Sequence, residues 1–270
     1  MKSNRPLNRD EVEQLDLQAR IDLEMQLKDA EADRVTQQSA PDSSQLDSYF
    51  NCSPWRKKMF SFLDPIAGRT VLDIGCGYNP TPILFALAGA KYVLACDVSP
   101  KALAHIHAMA KDSGVEQQVS VVLCAAEQLP LADETFDIVH GDGVLHHLLL
   151  PLAGAEITRV FTKDGKAAFK DPLGENPFLE FAREYVPYSW KGSVKGTDQP
   201  LLFRSIREFG NYFSTFTYQG FGFISMLPTL IWGRDRSKPT EIAYKLDDTI
   251  LRLLPFLQRY CRFVVICVKK

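Results

Sequence analysis

The sequence predicts an α/β fold with a doubly wound, mostly parallel sheet, and three observations support this prediction. From Val71 onward, short apolar runs typical of buried strands alternate with helical segments, which is the pattern of a parallel sheet covered on both faces. The run 71–74 ends in a Gly-x-Gly turn, and Pro80 follows as a helix start. The chain has 270 residues, of which 46% are hydrophobic, enough for one sizeable core.

The elements follow one another with little ambiguity after residue 70. Apolar runs bounded by turn residues predict strands, and three- and four-residue apolar spacing predicts helices. The predicted strands are 70–74, 92–97, 119–124, 136–141, 165–171, 213–219 and 261–268. The predicted helices of this region are 81–88, 99–112, 149–162 and 200–209.

A charged amphipathic helix is predicted ahead of this region, over residues 9–34. Its apolar positions recur at helical steps, and they are Val12, Leu15, Ala19, Leu23, Leu27 and Ala30. Asn8 and Glu11 have the spacing of a capping box, and the polar stretch 37–47 is typical of a linker. We therefore treat 1–48 as an N-terminal helix and linker, which packs on the domain, packs on a partner, or frays.

Composition limits the classes of function. The net charge of −2 provides no basic stripe of the kind that nucleic-acid-binding proteins use. The six cysteines are scattered, mostly in apolar runs, and no Cys/His spacing suggests a metal site. No apolar run reaches about 18 residues and the N-terminus is too charged for an export signal, so we expect a cytoplasmic protein without stable membrane insertion.

Chemistry-bearing residues collect at the carboxyl ends of the predicted strands, where open α/β sheets bind ligands. Gly75 and Gly77 permit positive φ and close approach of a ligand to the backbone, and Asp97 ends the next strand, where it suits ribose hydroxyls. The third glycine of a dinucleotide fingerprint is replaced by Pro80, which disfavours NAD and FAD. The sequence therefore predicts a nucleoside-binding crevice.

The ordered set of motifs resembles the class I S-adenosylmethionine-dependent methyltransferases, of the type 11-like group that acts on small molecules. The set comprises 71–80, Asp97, 126–139 and 144–148, and the resemblance covers residues 55–172 well. It implies a Rossmann-like methyltransferase fold of seven strands with an antiparallel edge strand, formed by 49–270. It also implies S-adenosyl-L-methionine as the cofactor.

The resemblance assigns cofactor-binding positions, namely Asp73, Gly75, Gly77, Asp97, Val98, Ala126, Glu127 and Gly141. Two positions depart from the family pattern. Asn79 replaces another small residue, and Ala125 replaces an Asp that commonly contacts the adenine amino group. Adenine recognition is therefore expected from backbone groups of 126–127 and from apolar walls.

Three residues after the fourth predicted strand are candidates for catalysis. His146 and His147 have side chains whose pKa suits a general base, and Asp142 leaves the strand four residues before His146. The segment 142–146 resembles that of phosphoethanolamine methyltransferases, where the histidine pairs with an N-terminal tyrosine, for which Tyr49 is the nearest candidate. We favour His146 as the base; the alternative is a pair that caps a helix or packs against the cofactor.

Two stretches exceed the minimal fold, 174–200 and 220–255, and both are rich in aromatic residues. They are additional core, lids over an acceptor pocket, or, for residues 221–232, a contact with a membrane surface. As lids they predict an acceptor that is partly apolar or aromatic.

These observations predict a methyltransferase that acts on the hydroxyl of a small molecule, in a specialised-metabolite or similar pathway. The alternatives are N- or C-methylation, an NAD-dependent oxidoreductase, and a non-catalytic cofactor-binding protein. The expected partner is the small-molecule acceptor and no nucleic acid, with a homodimer left open.

Overall fold

One sheet of seven strands organises the molecule. The computed structural model describes residues 15–32, 40–185, 199–226 and 238–270. The strands are β1 (Thr70–Ile74), β2 (Tyr92–Asp97), β3 (Val119–Leu123), β4 (Phe136–Asp142), β5 (Phe161–Pro172), β6 (Thr215–Phe221) and β7 (Phe263–Lys269). Their order in the sheet is β3-β2-β1-β4-β5-β7-β6.

Helices of the described residues cover the sheet or flank it. They are α1 (Leu17–Glu31), α2 (Leu46–Phe50), α3 (Pro54–Leu63), α4 (Thr81–Leu87), α5 (Pro100–Asp112), α6 (Leu150–Val160), α7 (Pro177–Tyr185), α8 (Phe203–Gly210) and α9 (Lys238–Leu253). Short 3₁₀ turns lie at Ser43–Gln45, Leu145–His147 and Pro255–Tyr260.

The strand directions confirm the predicted fold class. The five strands β1 to β5 pair in parallel, and β7 pairs antiparallel with both β5 and β6. The antiparallel strand is thus inserted next to the edge, and β6 forms the edge itself. The carboxyl ends of β1, β2, β3 and β4 meet at one edge of the sheet, as parallel pairing requires.

Two hydrophobic cores, one on each face, hold the layers together. One core combines β-strand residues with Ala153 and Ile157 of α6 and with Phe209 of α8. The other contains residues of α3, α4 and α5, among them Phe60 and Phe85, which are buried. Both faces of β1 and β2 are buried, and apolar side chains project from each face. The sequences of these two strands are therefore mostly hydrophobic and do not alternate with polar residues.

The structure shifts several predicted boundaries and adds helices: β5 begins four residues earlier than predicted, β6 and β7 each begin two residues later, and α8 begins three residues later. Helix α6 ends at Val160 and β5 begins at Phe161, so the helix predicted to reach 162 is two residues too long. Helices α2, α3, α7 and α9 were not predicted. Helix α3 has a clear sequence signal, because Ser53 caps it by accepting from the Arg56 N–H and Pro54 is its first residue.

The N-terminal helix begins later than its predicted cap. Asp16 is the N-cap and accepts a hydrogen bond from the Ala19 N–H at 2.8 Å. The predicted capping box at Asn8 and Glu11 lies outside the described residues. Across the described stretches, every helix is too short or too polar to cross a bilayer.

Candidate cofactor and active site

A cavity of about 480 Å³ lies at the carboxyl ends of β1 to β4, and α1 provides a further wall. From the strand ends it is lined by Ile74, Gly75, Gly77, Tyr78, Asn79, Cys96, Asp97, Val98, Cys124, Ala125, Ala126, Glu127, Asp142, Gly143, Val144, His147 and Leu148. From α1 it is lined by Arg20, Ile21, Glu24 and Lys28. We call it the cofactor cavity.

The two glycines after β1 serve different purposes. Both have positive φ, +61° at Gly75 and +52° at Gly77. A Cβ at Gly75 would lie 2.4 Å from Val144 Cγ2, so this glycine is required for packing between the β1 and β4 loops. A Cβ at Gly77 would meet nothing within 4 Å, so only Gly77 leaves its backbone open for the close approach of a ligand.

Asp97 organises the loop as well as the cavity. Its Oδ2 accepts a hydrogen bond from the Gly77 N–H at 2.8 Å, and its Oδ1 accepts one from the Ser99 N–H at 2.9 Å. The residue is 5% exposed, and burial raises the pKa of its carboxyl. Each oxygen retains a second lone pair, so the carboxylate is able to accept from two ribose hydroxyls while it holds the loop.

Glu127 ties the next loop to α6. Its Oε1 accepts a hydrogen bond from the N–H of Leu149, the N-cap residue of α6, at 2.9 Å. Burial raises the pKa of this carboxyl. Ala125 and Ala126 line the cavity beside it, so the wall at this point is small and apolar.

Asp73 lies beneath the glycine loop and does not line the cavity. Its Oδ1 lies 2.6 Å from His140 Nδ1, and both side chains are 3% exposed. Burial is the largest influence on the Asp73 carboxyl and raises its pKa. The two residues are direct neighbours in the β1–β4 register, which explains the contact. Asp73 therefore supports the loop from inside the sheet.

Gly141 and Asp142 end β4 with different roles. A Cβ at Gly141 would lie 2.6 Å from Val144 Cγ1 and 2.9 Å from Phe169, so Gly141 is required for internal packing. Asp142 lines the cavity, and its Oδ1 lies 3.0 Å from Nζ of Lys170. These two residues are neighbours in the β4–β5 register.

Helix α1 is attached to the cavity through His147. Glu24 Oε1 lies 3.1 Å from His147 Nδ1, and Arg20 Nη2 donates to the His147 carbonyl at 3.1 Å. Burial is the largest single influence on the Glu24 carboxyl and by itself would raise its pKa. The hydrogen bond and the charge of His147 together outweigh burial, so the pKa of Glu24 is lowered. His147 thus faces the cofactor cavity and binds the helix that covers it.

The carboxyl end of α1 is fixed as well. The Tyr78 hydroxyl donates to the Lys28 carbonyl at 3.2 Å, and Ser99 Oγ donates to Asp29 Oδ1 at 2.5 Å. Lys101 Nζ also donates to the Asp29 carbonyl at 3.3 Å. These contacts place α1 on the domain across the glycine loop and the start of α5.

His146 lines a second cavity of about 510 Å³, which we call the acceptor cavity. Its wall is about equally polar and apolar, and it is formed by the start of α6, by Gln199–Leu202, and by α8 with the residues that follow it. Arg20 and Leu148 line both cavities. The rings of His146 and His147 lie 3.9 Å apart between their centroids, so the pair separates the two cavities.

A buried carboxylate holds His146. Asp171 Oδ1 lies 2.7 Å from His146 Nδ1 and accepts from the His146 backbone N–H at 3.2 Å. Asp171 is fully buried, and burial raises the pKa of its carboxyl to about 7. A carboxylate at Nδ1 favours the tautomer that carries the proton there, which leaves Nε2 as a proton acceptor.

Tyr49 does not contact His146. Its hydroxyl lies 2.8 Å from Thr81 Oγ1, and the guanidinium of Arg56 lies 4.0 Å above its ring. Burial raises the pKa of the Tyr49 hydroxyl. The latch between tyrosine and histidine suggested by resemblance is therefore not formed in this structure.

Of the residues named from sequence, the structure brings most to the cofactor cavity: Gly75, Gly77, Asp97, Val98, Ala126, Glu127, Asp142 and His147. Asp73 and Gly141 support it from within the sheet, and His146 lines the acceptor cavity. Sequence reasoning missed the α1 residues, His140, Lys170 and Asp171. Only the position of Lys170 and Asp171 at a strand end offered a signal.

The two aromatic stretches are described in part. Of 174–200, Gln199 and Pro200 line the acceptor cavity, whereas Phe178 of α7 is 79% exposed. The described residues of the stretch 220–255 line neither cavity. Within this stretch, the Asp247 carboxylate of α9 accepts hydrogen bonds from the backbone N–H groups of residues 223–225. The rest of both predicted lids, 186–198 and 227–237, lies outside the described residues.

Known proteins match the central part of the chain. Residues 72–169 match the family model described as a methyltransferase domain. The tRNA U34 carboxymethyltransferase of Shewanella halifaxensis is 34% identical over 101 residues, which are 37% of this chain and 30% of the relative. The enzyme of the same name from Shewanella piezotolerans is 35% identical over the same shares. The chain thus spans under a third of the length of these curated relatives.

Solved structures share the fold over most of the chain. The geranyl diphosphate C-methyltransferase of Streptomyces coelicolor, in complex with S-adenosyl-L-homocysteine, has a TM-score of 0.60 at 11% identity and covers 93% of this chain and 97% of its own. The phosphoethanolamine N-methyltransferase 2 of Haemonchus contortus has a TM-score of 0.54 at 15% identity, covering 84% and 57%. Residues 72–169 thus match a methyltransferase domain, and the chain shares the fold of these solved methyltransferases.

Proposed function

We propose that this protein transfers a methyl group from S-adenosyl-L-methionine to the hydroxyl of a small, partly apolar molecule. The observation that carries the proposal is the pair of adjoining cavities divided by His146 and His147. One cavity presents a buried carboxylate and an open glycine backbone, and the other presents a histidine held by a buried aspartate.

The cofactor cavity fits a nucleoside that carries an amino-acid tail. Asp97 has lone pairs available for both ribose hydroxyls, and the small apolar wall at 125–126 suits the flat adenine. The carboxylate of Asp142 suits the ammonium of the tail, and the open space beside Gly77 leaves room for the carboxylate of the tail. When bound, the cofactor supplies an electrophilic methyl group.

The chain's own contribution to the reaction is placement and proton removal. Helix α1 covers the cofactor cavity, and the walls of the two cavities orient the reacting groups. His146 accepts the proton of the acceptor hydroxyl at Nε2, and Asp171, once ionised above about pH 7, stabilises the imidazolium that results. His147 holds the cofactor side closed through Glu24.

The acceptor cavity indicates the class of acceptor. The apolar part of its wall is formed by Leu145, Leu148, Leu149, Leu150, Leu201, Leu202 and Phe209. Hydrogen-bonding groups at the wall come from Ser205, Glu208 and Asn211. A volume of about 510 Å³ suits a small molecule. An acceptor that carries both apolar and hydrogen-bonding groups matches this lining.

The test is transfer of radiolabelled methyl from S-adenosylmethionine into a metabolite extract that is fractionated by size. We expect the label in small molecules, and a single labelled species then allows kcat and KM to be measured. His146→Ala should lower kcat about a hundredfold while cofactor binding persists. His147→Ala, the matched control, should weaken cofactor binding and affect kcat less. If the two variants behave alike, His146 is not the base.

A second candidate, transfer to tRNA, follows from the names of the curated relatives. The net charge of −2 disfavours it, because tRNA binding generally requires a basic surface. A parallel reaction with bulk tRNA decides between the two. Label in the tRNA and none in the small-molecule fraction would overturn the proposed acceptor class while leaving the cofactor assignment intact.

A further inference from the structure

Helix α9 has three faces of different character. The face toward the domain is formed by Ala243, Asp247 and Leu251, which recur every four residues and are 6%, 4% and 8% exposed. Asp247 ties this face to the domain, because its carboxylate accepts from the backbone N–H groups of residues 223–225. The two other faces of the helix consist mostly of exposed side chains.

One outer face is apolar, and we call it the α9 stripe. It consists of Ile242, Leu246, Thr249 and Leu253, which follow one another at steps of four, three and four residues. This is the spacing by which apolar residues form the seam between two packed helices. The three aliphatic side chains are 59%, 49% and 75% exposed. The Thr249 hydroxyl donates to the Lys245 carbonyl at 3.1 Å, so its proton is already bonded within the helix.

The α9 stripe belongs to a concentration of exposed apolar surface. Among the described residues, eleven large hydrophobic side chains are exposed, and five of these lie between 242 and 256. Leu254 and Phe256, which follow the helix, are 45% and 64% exposed. Single exposed apolar residues are ordinary in proteins, whereas a group of them at seam spacing indicates a surface that a partner covers.

The second outer face borders the α9 stripe and carries four charges of alternating sign. In chain order the charged residues are Glu241, Lys245, Asp248 and Arg252. Asp248 Oδ2 lies 2.7 Å from Arg252 Nη2, and both side chains of this pair are exposed. Because the signs alternate, the row meets opposite charges when a second copy of it runs antiparallel. A parallel copy would place like charges side by side, which disfavours association.

We propose that two copies of this chain associate through the α9 stripe, with their α9 helices packed antiparallel about a twofold axis between residues 247 and 248. In this arrangement Leu246 faces the partner's Thr249, and Ile242 faces the partner's Leu253. Each contact occurs twice, so the interface is closed and stops at the dimer. Burial of the apolar side chains supplies the affinity.

The same register brings the two charged rows together. Glu241 then lies near the partner's Arg252, and Lys245 lies near the partner's Asp248. Charges at the border of an interface select the direction of packing more than they add affinity. The described residues of α9 line neither cavity, so the dimer does not depend on the proposed function and leaves the cofactor cavity accessible.

Analytical ultracentrifugation of the full chain at increasing concentration tests the dimer. Wild type should shift from 30.4 kDa toward twice that mass. An interface of this modest size should associate at concentrations below about 0.5 mM. Leu246→Glu places a charge in the α9 stripe and should weaken association at least about tenfold. Leu152→Glu is the matched control, since Leu152 is 43% exposed on α6, and this variant should associate as wild type does.

Paired charge variants test the complementarity of the rows. Glu241→Lys/Asp248→Lys makes the row wholly positive, and Lys245→Glu/Arg252→Glu makes it wholly negative. Each variant alone should associate at least about tenfold more weakly than wild type, because like charges then face each other. An equimolar mixture of the two should form a heterodimer. Circular dichroism and binding of S-adenosylhomocysteine show whether each variant is folded as wild type is.

Disulfide trapping tests the antiparallel direction. In a Cys52→Ser background, Thr249→Cys lies next to its own copy across the twofold axis, so mild oxidation should link the two chains. Leu253→Cys is separated from its own copy by roughly 16 Å along the helix, at 1.5 Å per residue, and should not be linked. Parallel packing would link both variants.

The outcomes that overturn the proposal are specific. Wild type that stays monomeric at about 0.5 mM assigns the α9 stripe to a partner other than a second copy. Association of folded Leu246→Glu at the wild-type affinity shows that the dimer forms through another surface. Linking of Leu253→Cys as fast as Thr249→Cys, or a charge-variant mixture that stays monomeric, contradicts the antiparallel register.

Discussion

At the scale of single residues, the two glycines after β1 show how one motif combines packing and binding. Gly75 makes room for Val144, while the space beside Gly77 is open. Sequence reasoning assigned both to ligand approach, because positive φ is all that a Gly-x-Gly pattern reveals. The neighbour of Gly75 comes from a loop about seventy residues away, and its position depends on the β1–β4 pairing.

Substitution of these glycines by alanine should therefore give different results. Gly77→Ala should cost about 1–2 kcal/mol of unfolding free energy, the cost of a left-handed alanine, and should also weaken cofactor binding. Gly75→Ala adds a clash with Val144 and should cost roughly 2–5 kcal/mol. Urea denaturation measures both.

Gly114→Ala is the control for Gly77→Ala, because Gly114 has φ +68° with open space around it and lies outside both cavities. It should lose similar stability with no change in cofactor binding. The double variant Gly75→Ala/Val144→Ala should recover part of the stability that Gly75→Ala loses. Equal destabilisation by Gly75→Ala and Gly114→Ala would contradict the packing role.

Asp171 should make the stability of the protein depend on pH. Burial raises the pKa of the Asp171 carboxyl in the folded protein to about 7, from its usual value of 3.8. The protonated carboxyl therefore stabilises the folded protein, and this contribution is complete below pH 3.8. The contribution is lost as the pH rises through about 7. Between pH 5 and pH 8, wild type should lose about 1 kcal/mol or more of unfolding free energy relative to Asp171→Asn.

Denaturation at the two pH values for wild type and Asp171→Asn measures this difference. Asp142→Asn is the control, since Asp142 is paired with Lys170 and partly exposed. A difference between wild type and Asp171→Asn that does not change with pH would show that the Asp171 carboxyl has its ordinary pKa when folded.

At the scale of elements, α1 is the least expected part of the site. Its apolar residues predicted an amphipathic helix, yet the side chains that line the cofactor cavity include Arg20, Glu24 and Lys28. Charged residues on a helix usually face solvent, so nothing in the spacing of α1 indicated a polar wall. Their partners, among them His147 and Tyr78, are 50 or more residues away in sequence.

The strands, in contrast, were predicted within a few residues. Short apolar runs bounded by glycine, proline and charged residues leave little freedom for β1 to β4. The boundary between α6 and β5 was missed because Phe161 is apolar and continues the helical pattern of α6. The pairs Asp73–His140 and Asp142–Lys170 were missed because they depend on β4 lying between β1 and β5.

Release of α1 should weaken cofactor binding. Glu24→Gln removes the charge that pairs with His147, and a partly buried pair of this kind contributes about 1 kcal/mol, so affinity for S-adenosylhomocysteine should fall about fivefold. Hydrogen exchange of residues 17–31 should be faster in this variant. Because the pKa of Glu24 is lowered, its contribution is present above the usual value of 4.5 and is lost as the pH falls through the lower folded value.

Asp22→Asn is the matched control on the same helix. Asp22 is exposed and accepts a hydrogen bond from Gln18. This variant should bind S-adenosylhomocysteine as wild type does. Equal affinity of Glu24→Gln and wild type would show that α1 does not close the cofactor cavity through His147.

At the scale of the whole molecule, topology accounts for the position of the site. Parallel strands β1 to β4 bring four loops to one edge of the sheet, and helix α1 completes the cavity. The fold and the edge that carries the site were predictable, because strand–helix alternation and strand-end residues are local features of the sequence. The acceptor cavity was not, because it is assembled from 145–151, 199–202 and α8, which the sequence does not connect.

The central claim is that the cofactor cavity binds S-adenosylmethionine through Asp97, and calorimetric titration with S-adenosylhomocysteine tests it most directly. Wild type should bind one molecule per chain, and Asp97→Asn should bind at least about tenfold more weakly, since a charged hydrogen-bond acceptor contributes about 1.5–3 kcal/mol. NADH should give no binding heat. Equal affinity of the two proteins for S-adenosylhomocysteine, or tight binding of NADH by wild type, would contradict the claim.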